Sequence, residues 1–466
     1  MVSSALDKDG SKKRLGAILA IYLVGLLVGG LYVGMVAPVR TVVQESFSLD
    51  DATGIWMINI YTLFYAALIP VIGKLADRYG RKPAFVACVI IFAIGSVLCG
   101  VSLYAGGFPL LLFGRIVQAI GACGMIPVAN AEIGTSFPKE RRGMALGLAA
   151  AVTGLSNVFG AACGSGLLAL FGNEGWPWMF FISVPVCALL GIAAALLLPK
   201  REVLESKGAL DIPGAAVFVL MVLLLLLSFR SVDFFDAESL VSPDVLIPFA
   251  GALIGIVLFV IIERRAHDPF FHSEYLRDRQ ILATCGVSFF IGCMIISMTL
   301  VPEFAERLLD LPVGSGGYYV AAIGIFSLFG PLVSGKLIDR LGPKKPLMGG
   351  LFITALGFML VAFFVTAHPS SLLLIIGLSI IGLGMGLSMG APTNYMILES
   401  TSEGESTVAI ATITLIRQIG TTLSPALLVG FITSGTGMAG FSHMMCCVAV
   451  FCAISMVILC FYKSKG

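Results

Sequence analysis

Fourteen stretches of roughly twenty apolar residues follow one another along this 466-residue chain, and each is long enough to cross the hydrocarbon core of a bilayer as a helix. They run over residues 15–38, 53–73, 84–105, 109–133, 144–170, 177–199, 211–230, 245–263, 280–303, 316–337, 346–367, 371–393, 407–431 and 441–461. The segments between them carry the Pro, Gly and charged residues that mark turns. A chain in lipid must satisfy its backbone hydrogen bonds internally, which leaves helices or closed barrels. Barrel strands are about ten residues long and alternate in polarity. The expectation is an all-α integral membrane protein with 14 transmembrane helices.

Composition agrees. The mean hydropathy is +1.00, and only 12% of residues are charged, half of what a soluble domain carries. Lys and Arg orient the spans, because short cytoplasmic loops hold an excess of them. With both termini inside, Arg40, Arg230 and Arg307 fall outside, Arg115 and Arg417 fall within spans, and 24 of the 29 basic residues lie on the cytoplasmic side. The apolar run after residues 1–14 is too long for a signal-peptide core and reads as a retained span. All eleven cysteines sit in apolar runs without metal-ligand spacing, and read as packing residues. No cofactor or metal is called for. No basic tract alternates with aromatics as nucleic-acid binding requires.

Charge concentrates in one decapeptide, GKLADRYGRK (73–82), which recurs as GKLIDRLGPKK at 335–345. The offset is 262 residues, or eight spans; two six-span halves alone would give an offset nearer 200. The chain therefore reads as two pseudo-symmetric six-helix halves, 15–199 and 280–461, with two inserted helices in 200–263. A cytoplasmic linker (264–279) and cytoplasmic termini (1–14 and 462–466) complete the organisation. Internal duplication of this kind characterises secondary transporters.

Several residues invite a role. Gly73 and Gly80 permit a tight turn between antiparallel helices. The inside-positive rule accounts for Lys74 and Lys82 but gives no reason for Asp77, an acid suited to face the positive N-terminus of a neighbouring helix. Arg115 sits within an apolar span, where a charge must snorkel, pair or face a cavity. Gln118 shares its face. Glu132 is either part of a cytoplasmic gate or interfacial, and Arg417 is either a cavity charge or a gate partner. Trp56, Asn59, Tyr61 and Asn394 are candidates to line a central cavity, Trp56 alternatively being an interface anchor. Gly160 and Gly164 in the fifth span, and Gly382, Gly386 and Gly390 in the twelfth, fit the small-x-x-x-small pattern of close helix packing. Asp211 is expected to cap the seventh helix.

In these residues the sequence resembles the major facilitator superfamily, and within it the fourteen-span drug:proton antiporter branch. The first decapeptide resembles the superfamily's loop 2–3 signature, and GRIVQAIGACG (114–124) resembles its fourth-span motif. WMINIYTL (56–63), LDIPG (210–214), ERRAHDPFF (263–271) and LIRQIG (415–420) resemble segments of the branch. The resemblance implies a cytoplasmic latch at Asp77, Arg78 and Arg81, with Asp339 and Arg340 matching in the second copy. It also implies proton coupling or substrate contact at Arg115.

Two departures stand out. The fifth span lacks the proline of the family's antiporter motif, reading Gly160-Ala161-Ala162-Cys163-Gly164-Ser165. The first span lacks the mid-span aspartate of many drug antiporters, whose place falls near Gly30. With Arg115 and Arg417 inside, the substrate is expected to be anionic, zwitterionic or neutral rather than a lipophilic dication. Two functions remain open: proton-coupled export of amphipathic small molecules, or uptake or exchange of an organic anion. An enzyme is not expected, since no G-x-S-x-G, H-E-x-x-H or P-loop pattern occurs. The chain is expected to work as a monomer in the cell membrane.

Overall fold

A computed structural model describes residues 2–199, 211–265, 278–311, 317–434 and 438–463. The expected linker 264–279, the C-terminal segment 462–466, the junction 200–210 and most of ERRAHDPFF lie wholly or partly outside them. In chain order the helices are α1 (Val2–Ser46), α2 (Asp51–Gly54), α3 (Trp56–Tyr79), α4 (Arg81–Val101), α5 (Gly107–Ser136), α6 (Lys139–Phe171), α7 (Trp178–Phe181), α8 (Ser183–Leu197), α9 (Ile212–Ser231) and α10 (Ala237–Leu240). There follow α11 (Pro243–Glu263), α12 (Arg279–Ile295), α13 (Val301–Leu309), α14 (Gly317–Leu341), α15 (Lys344–Met359), α16 (Ser371–Ser388), α17 (Ala391–Ser400), α18 (Ser406–Ser434) and α19 (Met438–Cys460).

Among the described residues, twelve helical stretches are long and apolar enough to cross a membrane. Two of the fourteen expected spans are not among them. The ninth is divided: α12 has 17 residues and gives way to a 3-10 turn at Ile296–Leu300 and then to α13. The fifth lies in α6, a 33-residue helix.

The chain forms two compact units. One comprises Met1–Pro138, Val152–Ser206 and Glu403–Ala411; the other comprises Lys139–Ala151, Lys207–Ser402 and Thr412–Gly466. The helices α6 and α18 therefore each begin in one unit and continue in the other.

In the first unit small residues bring backbones together, as lipid-embedded helices require. A methyl group at Gly95 of α4 would lie 2.7 Å from the Gln118 Cα of α5, and one at Gly121 would lie 2.7 Å from the Phe92 Cα. Gly160 of α6 packs on α1, where a methyl would meet the Met35 nitrogen at 3.1 Å; Gly164 is buried. Edge-on aromatic pairs join α1 to α4, Tyr22 with Phe85 (4.8 Å) and Tyr32 with Phe92 (5.2 Å).

In the second unit Gly382 and Gly386 of α16 face α14, with Ile323 Cα at 2.9 Å and Gly330 Cα at 3.0 Å from the added methyl positions. Gly390 departs from the expected stripe. It follows the end of α16 at φ +79° and turns the chain into α17, and a methyl there would lie 2.9 Å from the Ala150 Cβ of α6. The helices α9 and α11 pack on each other through Phe218 and Phe259 (5.5 Å) and a bond from Ser228 Oγ to the Val245 carbonyl (3.0 Å). Asp211 caps α9 by accepting from the Gly214 N–H at 2.8 Å.

Candidate functional site

The first decapeptide lies at the junction of α3 and α4. Gly80 makes the turn at φ +99°. Gly73 plays no part in it. It lies inside α3, where a methyl would sit 2.9 Å from the Ala411 Cβ and 3.2 Å from the Thr407 carbonyl. This close approach brings Asp77, one turn further along α3, to the start of α18. Its carboxylate accepts the N–H groups of Thr407 (3.2 Å) and Val408 (2.8 Å), in the first turn of α18, whose amides lack partners within their own helix. An acid is stabilised there by the helix dipole as well.

Arg81 builds the rest of the cluster. Its Nε lies 3.7 Å from Asp77 and donates to Thr407 Oγ1 (3.1 Å). Its Nη1 donates to Glu132 (3.1 Å) and Thr135 Oγ1 (2.6 Å), and its Nη2 to the Glu403 carbonyl (2.9 Å) and to Ser406 Oγ. Glu132 also accepts from Ser136 Oγ at 2.8 Å. The side chains of Asp77, Arg81 and Glu132 are all more than nine-tenths buried. The planar guanidinium fork alone serves so many acceptors at once. The Arg78 guanidinium lies over the Tyr79 ring, 5.7 Å from its centre. The neighbouring Lys82 does more than orient the loop: its ammonium donates to the Leu198 carbonyl (2.6 Å) at the end of α8, where a cation suits the helix C-terminus.

The second decapeptide repeats half of this arrangement. Asp339 accepts from the Gly143 and Met144 N–H groups early in α6, at 2.7 and 3.0 Å. Gly335, the counterpart of Gly73, again permits the approach: a methyl there would lie 2.9 Å from the Met144 Cα. Pro343 stands where Arg81 would be and immediately precedes α15. Arg340 is exposed.

Arg115 does not snorkel. It is 2% exposed, with its Nε donating to the Met57 carbonyl (3.0 Å) and Nη1 to Gln118 Oε1 (2.5 Å). Gln118 in turn donates to Ser96 Oγ at 2.9 Å. The guanidinium lies 4.0 Å from the centre of the Tyr61 ring, a close cation–π contact, and Tyr61 stacks on Tyr65. Among the described residues no carboxylate pairs with Arg115. The Tyr61 hydroxyl and Asn59 Nδ2 beside this network, and Asn394 Oδ1 in α17, are buried without a hydrogen-bond partner. Trp56 is partly exposed at the start of α3. Arg417 is half-buried, and its carbonyl accepts from Thr421 Oγ1 (3.0 Å) where α18 passes Gly292 of α12.

The aspartate position expected in the first span is closed. A side chain at Gly30 would meet the Ser156 Cβ of α6 at 2.6 Å. An apolar cavity of 370 Å³ opens further along α1, lined by Val28, Tyr32 and Met35 together with Leu167 and Leu170 of α6 and Val186 of α8.

Apolar spanning helices, a duplicated charged loop and buried ionisable residues at membrane depth define a multi-pass membrane transporter. The model of the Major Facilitator Superfamily matches residues 19–425 and 282–465, and the chain belongs to that family. It is 32% identical over 447 residues to the uncharacterized transporter YfiU of Bacillus subtilis, covering 94% of this chain and 83% of the relative. It is 30% identical over 443 residues to the multidrug transporter protein MdtP of the same organism, covering 93% and 78%. Among solved structures, the human organic anion transporter MFSD10 (TETRAN) matches the fold with a TM-score of 0.69 at 15% identity, covering 96% of this chain and 99% of that one.

Proposed function

We propose that the protein is a proton-coupled exporter of amphipathic small molecules in the cell membrane, working as a monomer by alternating access. Fourteen spans are counted by adding α6, and α12 with its continuation into α13, to the twelve long apolar stretches. The self-packed helices α9 and α11 are then the inserted pair, and both termini are cytoplasmic. Two six-helix halves rock about a central site near the midplane. The observation that carries the reading is the buried Asp77–Arg81–Glu132 cluster on the first turn of α18. It acts as a cytoplasmic latch, with Asp339 on α6 as its partner, and protonation of an acid in it removes the charge that holds the helix. Arg115 and Gln118 face the transported species or the proton, and Arg417 serves the second half in the same way. Likeness to MdtP favours export, and the apolar cavity beside Tyr32 suits the apolar part of an amphipath.

The test is flux in proteoliposomes. Under an imposed pH gradient, amphipathic substrates move against the proton flow, and a protonophore abolishes their movement. Flux indifferent to the gradient refutes coupling. A second reading, uptake or exchange of an organic anion, draws on Arg115, a buried cation without a carboxylate partner among the described residues. It requires the opposite direction of movement with an organic carboxylate under the same gradient.

A further inference from the structure

Beyond Asp77 and Asp339, the two decapeptides share a second contact at the same offset of 262 residues. Lys82 donates to the Leu198 carbonyl. Lys344, its counterpart, donates to the Tyr462 carbonyl (2.8 Å) and reaches the Cys460 carbonyl (3.5 Å), at the end of α19. The copies then diverge. The first holds its surroundings with the Arg81 fork. The second has Pro343 in that position and no guanidinium of its own at that point.

A different set of contacts lies beside the second copy. Tyr462, just past α19, is 1% exposed, and its hydroxyl donates to Glu399 Oε2 at 3.0 Å. Burial, with Glu399 beside it, pushes the phenol well above its usual range, so it remains a donor. The next residue is tied as well: the Lys463 N–H donates to Gln280 Oε1 at 3.0 Å. Glu399 shares a face of α17 with Tyr395, one turn back. The Tyr395 ring carries the Arg142 guanidinium at 5.9 Å, and Arg142 adjoins Gly143, whose N–H is held by Asp339. Lys344 follows Asp339 by five residues. These contacts, with the chain linking Tyr395 to Glu399 and Lys344 to Asp339, close a circuit: Asp339, α6, Tyr395, Glu399, Tyr462, Lys344 and back to the decapeptide.

We propose that the C-terminal segment, through Tyr462 held by Glu399 and Lys344, is the positioning element of the second latch, in the place of the arginine that the second decapeptide lacks. Tyr462 acts through α17 and α6 and touches no transported molecule. The proposal rests on reading Asp339 as a latch, and the two are separable by experiment.

Hydrogen exchange of the full-length protein in lipid nanodiscs reads each latch at its own amides without any substrate. Peptides covering 139–147 report the Asp339 latch, and peptides covering 403–411 report the Asp77 latch. Tyr462→Phe removes one hydroxyl that donates to a carboxylate, a change expected to speed exchange in 139–147 roughly tenfold and to leave 403–411 at the wild-type rate. Asp339→Asn is expected to speed 139–147 at least as much, and the double variant to add little to Asp339→Asn alone, as befits two residues in one circuit. Lys344→Met, which leaves Tyr462 intact, gives the same pattern. Wild-type exchange of 139–147 in both Tyr462→Phe and Lys344→Met overturns the proposal. So does equal acceleration in both peptides, or full additivity in the double variant. If Asp339→Asn itself leaves 139–147 unchanged, the latch reading fails first and takes the positioning role with it.

Discussion

Replacing Arg81 by alanine is the most demanding test of the first latch. The side chain is 9% exposed and its nitrogens serve four hydroxyl or carbonyl acceptors and the Glu132 carboxylate. Its loss leaves two buried acids, Glu132 at 3% and Asp77 at 7% side-chain exposure, without their cation. Breaking a buried pair by removing one partner costs about 3–5 kcal/mol, most of it the penalty of the charge left behind. The penalty is therefore expected to fall on the carboxylates rather than on the hydroxyls. Arg81→Ala/Glu132→Gln should recover about 1.5–3 kcal/mol of the loss, because a neutral amide needs no counter-charge. Arg81→Lys keeps one cation but loses the fork, and should lose about 1–2 kcal/mol from the missing bonds to Thr407, Glu403 and Ser406. Equilibrium unfolding in mixed micelles measures all three, and hydrogen exchange at 403–411 locates the change. A double variant less stable than Arg81→Ala alone would refute the reasoning, since the Glu132 charge would then not be the source of the penalty.

Asp77→Asn keeps the shape of the latch but removes its charge; it should insert normally yet transport at a small fraction of the wild-type rate, and wild-type flux in proteoliposomes would sink the latch reading. Gly73→Val should be far worse than Gly73→Ala, because the added Cβ already lies 2.9 Å from Ala411 Cβ and 3.2 Å from the Thr407 carbonyl and the Val408 Cα, and valine adds two methyl groups to it; equal thermal stability of the two variants would contradict the close approach. Gly390→Ala forces an L side chain to φ +79° and should cost about 1–2 kcal/mol, read as a lower unfolding midpoint. Quaternary ammonium dyes should not be expelled by the reconstituted protein, and robust efflux of them would overturn the inference from the missing first-span acid.

Among the described residues twelve of the fourteen expected spans were legible, because hydropathy is a local property, and so was the repeat, because a charged decapeptide stands out against an apolar background. Each of the fourteen stretches is largely helical. What a linear reading misses is partnership over distance. Arg81 and Glu132 are 51 residues apart, and Arg81 and Ser406 are 325 apart; no spacing rule links them. Ser406 and Thr407 look like ordinary residues at the edge of the thirteenth span until their positions in the first turn of α18 are seen. Lys82 satisfied the orientation rule so well that its bond to the Leu198 carbonyl left no trace in the pattern. Glycines were read incompletely: Gly73 looked like a turn and is a contact, whereas Gly390 looked like a contact between spans and is a turn that also lies close to Ala150 of α6. Periodicity records which residues share a face, and the backbone angle that separates these cases is set by the neighbouring helix.

The contact between Gly30 and Ser156 bears on how the protein's range of substrates could change over generations. In a span open at that point, one codon change from glycine to aspartate would install an acid at membrane depth. Here the incoming side chain meets a serine that is itself completely buried and whose hydroxyl is bound to the Val152 carbonyl. The acid would arrive unable to fit, so that step is closed until α6 has first been remodelled at Ser156. Two changes are needed in a fixed order, the first without benefit of its own. Directed selection for resistance to dicationic compounds should accordingly find routes elsewhere in the chain before it finds the first helix.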